Sequence, residues 1–124
     1  MPARFNHTII AAENASESAA YYKVLLEAVD APSWGVFTNL TIADGVLLQF
    51  AEPPIDFPPQ HYAFLVTDRH FAEARQWLVG AGREYWADPQ RTRANEISDE
   101  DGGRRLYTLD PAGHFLELLT KPYL

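Results

Sequence analysis

The chain has 124 residues, 47% of them apolar and 13% aromatic, enough for one compact domain with its own core and no need of disulfide or metal staples. Seventeen Asp and Glu against ten Lys and Arg leave a formal charge of −7, which repels phosphate backbones and anionic lipid and so argues against nucleic acid or membrane as a partner. With no cysteine there is no disulfide, thiolate metal site or thiol nucleophile, so any metal must be held through nitrogen and oxygen.

Nothing in the chain approaches 18 consecutive apolar residues, and the opening MPARFNHTII has too short an apolar run for a signal peptide, so a cytoplasmic protein is expected. Nine prolines and seven glycines call for many turns and favour a sheet-rich fold over a long helical bundle. Residues 4–12 alternate as a strand, with Phe5, His7, Ile9 and Ala11 on the more apolar face. Asn14 and Glu17 form a capping box for a helix whose apolar positions Ala19, Tyr22, Leu25, Leu26 and Val29 continue to Asp30, before Pro32. Strands at 34–43 and 46–52 join at Asp44-Gly45, a dipeptide suited to a tight hairpin. Residues 52–60 hold four prolines, are stiff and extended, and divide a first module, about 1–57, from a second, about 58–124.

The pattern then begins again. Residues 61–67 read as a strand with His61, Ala63, Leu65 and Thr67 on one face. Asp68 caps a helix to Ala81, with Phe71, Ala74, Trp77, Leu78 and Ala81 as its apolar stripe and Gly82 as its stop. A short strand at 83–87 precedes a polar loop, 88–103, which carries Arg91, Arg93 and Asn95. In the closing stretch Asp110 opens a type I turn, Pro111 supplies the next φ, and Gly113 takes the left-handed conformation that completes a three-residue loop. That loop sets the cross-strand pairs Leu109 with Phe115, Thr108 with Leu116 and Tyr107 with Glu117. Glu117 is flanked by Phe115, Leu116, Leu118 and Leu119, so its carboxylate is carried into a buried setting that demands a cation or a donor. By the same register His114 faces away from Glu117 and reads as structural, and His70 reads as a surface residue.

Each half thus begins with a strand bearing a histidine, His7 and His61, and the second half ends with Glu117. Taken singly, each histidine fits a hydrogen-bonded sheet residue, and a buried Glu fits a local salt bridge. Two imidazoles and a carboxylate on one side of an ion with open positions opposite instead suit Fe(II), Mn(II), Ni(II) or Zn(II). NHTII, AAYYKVLLEA, HYAFLV and LYTLDPAGHFLELL together resemble the vicinal oxygen chelate superfamily of glyoxalases, fosfomycin-resistance thiol transferases, bleomycin-resistance proteins and extradiol dioxygenases, the ending DP-x-G-H-x-x-E most specifically. The resemblance implies an α+β fold of two βαβββ modules, curved mixed sheets around a divalent metal, with His7, His61 and Glu117 as ligands. It also implies a homodimer in which sites are shared between chains.

No single reaction follows from the resemblance. Where glyoxalase I carries a fourth ligand, a glutamate, this chain has Gln49, a poorer ligand that cannot act as a carboxylate base. The thiol transferases have a threonine two residues past the first histidine, where this chain has Ile9. Tyr107 matches a tyrosine ten residues before the metal glutamate in both the transferases and the dioxygenases, and is the candidate catalytic residue. Gln49, Arg105 and Phe115 are candidate substrate contacts, and Trp34, Phe57, Tyr62 and Trp86 fit either a pocket or a core. The expectation is a metal-dependent lyase, dioxygenase or transferase acting on a small oxygen-bearing molecule. The alternative is a metal-free protein that sequesters a drug or metabolite.

Overall fold

A computed structural model describes residues 1–124 and divides them into two units, Met1–Pro58 and Pro59–Leu124. The first contains β1 (His7–Ala11), α1 (Ala15–Leu25), β2 (Val29–Asp30), β3 (Thr38–Thr41) and β4 (Leu47–Ala51), and its sheet has the order β1-β4-β3-β2. The second contains β5 (His61–Leu65), α2 (Asp68–Gly80), β6 (Tyr85–Trp86), β7 (Arg105–Leu109) and β8 (Phe115–Leu119), in the order β5-β8-β7-β6. In each, the first strand runs parallel to the last and the others are antiparallel, so the fold is α+β with two βαβββ modules. No helix is long and apolar enough to cross a membrane.

In the first unit the core lies between α1 and one face of the sheet, where Ile10, Leu40, Leu48 and Phe50 are buried with Tyr22 and Leu25, and the rings of Tyr22 and Phe50 lie 4.8 Å apart. The opposite face carries His7, Ile9, Leu47 and Gln49, as the β1–β4 register dictates. This corrects one reading of β1. The face of Phe5, His7 and Ile9, apolar by composition, is open in the chain, and Ile10 on the other side enters the core.

α1 starts as the capping box requires, the Asn14 side chain accepting from the Glu17 N–H at 3.0 Å. It ends at Leu25, five residues short of the expected Asp30. The Ala28 N–H returns to the Lys23 carbonyl and the Glu27 N–H to the Val24 carbonyl, a Schellman closure with Glu27 at φ +53° where glycine is usual. Val29 and Asp30 are then free to pair as β2. α2 closes in the same way through Gly82 at φ +68°. Its N-cap is Thr67, whose hydroxyl accepts from the His70 N–H, so Asp68 is the first helical residue, and Phe71, Ala74 and Leu78 are buried while Ala81 is exposed. β3 is shorter than expected because residues 34–37 form a turn around Gly35. The turn after β3 has both Asp44 and Gly45 at positive φ, the backbone that matches strand twist in a tight hairpin.

Candidate functional site

The β7–β8 loop forms as the Asp110-Pro111-Ala112-Gly113 sequence demands. The Asp110 carboxylate accepts from the Ala112 and His114 N–H groups, the Gly113 N–H donates to the Asp110 carbonyl, and Gly113 takes φ +90°. Tyr107 therefore pairs with Glu117 and Leu109 with Phe115. On its other side β8 runs parallel to β5, aligning His61 with Phe115 and Ala63 with Glu117. Opposed residues point to one face, so His61, Tyr107, Phe115 and Glu117 converge on the same side of the second sheet.

On that face Glu117 is 2% exposed and is held at both oxygens. His61 Nε2 lies 3.1 Å from Oε1, and the Tyr123 hydroxyl donates to Oε2 at 2.5 Å. The hydrogen bond to Glu117 pushes the Tyr123 phenol up to about 12, with burial and the nearby Tyr107 adding to the effect, so Tyr123 stays a donor throughout the neutral range. Arg105, on the face of Tyr107, donates to Asp101 at 3.0 Å and lies 5.1 Å from the centre of the Tyr123 ring. Burial disfavours its charge, but hydrogen bonds to Tyr123, Tyr107 and Asp101 more than offset this and hold the guanidinium above its ordinary value. Arg105 is thus already engaged inside the protein. His114 is fully buried with its Nδ1 accepting from the Gln60 N–H, which makes it a structural residue, and Tyr62 packs edge-on against it, on the face opposite His61.

In the first unit His7 is exposed on its sheet face, with Nδ1 2.7 Å from the Asn6 side-chain oxygen. Gln49 is buried in the same row, paired with Ile9 on one side and Asn39 on the other. Asn39 donates to the Pro32 carbonyl, yet its own buried side-chain oxygen has no partner. Trp34 is exposed, whereas Phe57 and Trp86 are half-buried.

The chain therefore unites one imidazole and one carboxylate, His61 with Glu117, and no group of three His, Cys, Asp or Glu side chains stands at metal-ligand spacing within it. A buried carboxylate that meets an imidazole and a phenol but no lysine or arginine directly carries a charge that a divalent ion satisfies, so these donors fit such an ion. Tyr123 is not marked by any sequence pattern. Its tail, TKPYL, has no periodicity, and the contact is set by where the chain turns after β8; the one available signal was a phenol six residues beyond a buried acid.

No family model matches the chain. Glutathione transferase FosA of Serratia marcescens is 31% identical over 119 residues, covering 91% of this chain and 77% of that relative. Among solved structures, oxidase ChaP-H2 is 41% identical with a TM-score of 0.94, covering 99% of this chain and 97% of that one. The fosfomycin resistance protein FosX of Listeria monocytogenes, solved with Mn(II) and 1S,2S-dihydroxypropylphosphonic acid, is 17% identical with a TM-score of 0.76 over 99% of this chain and 96% of that one, a likeness of fold.

Proposed function

The chain belongs to the vicinal oxygen chelate superfamily, and from that premise we propose that it is a metal-dependent enzyme acting on a small organic molecule through two of that molecule's oxygen atoms. The observation that carries this is the buried Glu117 carboxylate set against the His61 imidazole on an open sheet face. His7, His61 and Glu117 would hold the ion. When bound there, a divalent ion such as Fe(II), Mn(II), Ni(II) or Zn(II) supplies Lewis-acid stabilisation to charge developing on a substrate oxygen.

The protein's own groups do the rest. Glu117 offers Oε1 on the side of His61 while Tyr123 keeps Oε2 occupied, which fixes the carboxylate's orientation, as partners behind metal ligands commonly do. Tyr107, paired with Glu117 and nearly buried, would donate a hydrogen bond to the substrate or move a proton at its phenolic oxygen. Gln49 and Phe115 would contact substrate, and Arg105, tied to Asp101 and Tyr123, would shape the wall. Gln49 contributes no carboxylate base, so the reading favours chemistry in which the substrate's acidic oxygen is stabilised over one that abstracts a carbon-bound proton from the Gln49 side.

Two of the three ligands lie in the second unit and one in the first. We read the working form as a homodimer in which His7 of one chain completes the pair of another, the stiff segment 52–60 disfavouring self-closure. The test is metal analysis of protein purified without an affinity tag, then a turnover panel on metal-loaded and chelator-treated samples. Metal-dependent turnover is expected. Tight binding of panel compounds without turnover, unaffected by chelator, would instead assign a sequestering protein.

A further inference from the structure

Arg91 sits in the 88–103 loop at φ +59°, and its guanidinium lies 5.7 Å from the centre of the Trp86 ring and 5.6 Å from that of Phe115. Trp86 pairs with Tyr107, which pairs with Glu117, and Phe115 is two residues before Glu117 on the same strand, so both rings belong to the face of the candidate site. The seat is built. The Asp88 side chain accepts from the Thr92 and Arg93 N–H groups and the Thr92 hydroxyl, pinning the backbone on which Arg91 stands.

What separates Arg91 from its neighbours is that its charge has no partner. Arg69, Arg93, Arg104 and Arg105 each pair with a carboxylate, at Glu73, Glu96, Asp68 and Asp101, and Arg75 bonds the Tyr85 hydroxyl. A cavity of about 490 Å³ is bordered by Arg104 and Arg105, which are paired in this way, and by Lys121, which donates to the Asp101 backbone carbonyl. Arg91 makes ring contacts alone, which leave its five N–H donors unspent. On a chain of charge −7, a cation without a carboxylate partner is where an anionic ligand is locally favoured.

We propose that Arg91 is the anion-recognising residue of this site, and that the ligand it takes is an organic acid, its carboxylate on the guanidinium edge and its hydrocarbon against Trp86 and Phe115. A planar guanidinium meets a carboxylate through two parallel hydrogen bonds, and the two rings strip water from one side of the pair. This deepens the enzyme reading, on which it rests for the claim that the acid is substrate; the binding itself needs no metal.

Calorimetry of metal-free protein with 2-naphthoate and its neutral isostere 2-naphthamide tests it, separately from any metal measurement. The wild type should bind the acid about tenfold more tightly than the amide, Arg91→Gln should abolish that preference, and Arg91→Lys, which keeps charge without the fork, should retain part of it. Equal affinities of wild type and Arg91→Gln for naphthoate, or a wild type that binds neither compound or does not discriminate, would overturn the proposal while leaving the metal reading standing. Unchanged acid binding beside failed metal binding would sink the enzyme reading and leave Arg91 an anion site.

Discussion

Glu117 is the residue whose surroundings demand a function. A carboxylate at 2% exposure costs several kcal/mol to bury unless it is compensated, and its direct partners here are an imidazole and a phenol, with no lysine or arginine. Tyr107 stands beside it, its hydroxyl in the same hydrogen-bonded group as Arg105 and Tyr123. Tyr107→Phe should therefore preserve the fold and metal affinity while lowering kcat/KM of an identified substrate by about 10²-fold, the usual scale of a positioned proton donor. A pH–rate profile that superimposes on the parent's would reduce the tyrosine to packing.

At the scale of elements, the β7–β8 hairpin ties local chemistry to the site. No atom stands within 4 Å of a Cβ built on Gly113, so Gly113→Ala would suffer only from its φ of +90°. It should cost about 1–2 kcal/mol, read as a lower denaturation midpoint with an unchanged slope. The loop that carries Arg91 has a pH signature. Hydrogen bonding from Thr92, foremost, and from the Arg93 and Thr92 N–H groups holds the Asp88 carboxyl below its ordinary 3.8. A depressed folded value means that the contribution is present above about 3.8 and is lost as pH falls through the folded value, so amide protection at Thr92 and Arg93 should disappear in that acid window while β8 stays protected. Protection there that is flat down to pH 2 would contradict the role given to Asp88.

These elements differ in how far they can be read from residues alone. The Tyr107–Glu117 pairing was legible because Asp110, Pro111 and Gly113 dictate the loop, and the loop dictates the register. The end of α1 was not, because the left-handed position falls on Glu27, which gives no glycine signal, and apolar spacing ran on through Val29. Nor was the Tyr123 contact, which depends on the path of a tail without periodicity, or the seat of Arg91, which needs rings from two strands brought under one loop.

For the whole molecule, the repeat of one βαβββ plan distributes the proposed ligands unequally, one in the first unit and two in the second. Sharing between chains has an arithmetic consequence. When His7→Ala and Glu117→Ala proteins are unfolded and refolded together in equal amounts, half of the dimers are mixed and each has one intact site, so about a quarter of all sites should bind metal. A mixture as empty as its parents would place each site within one chain. The central claim, that His7, His61 and Glu117 hold one ion, is tested most directly by titrating Mn(II) into the untagged wild type and into His7→Ala, His61→Ala and Glu117→Ala, with free ion read by electron paramagnetic resonance. About one tight ion per chain in the wild type, and at least a tenfold loss of affinity in each variant with the thermal transition retained, is the predicted result; wild-type affinity in Glu117→Ala would contradict it.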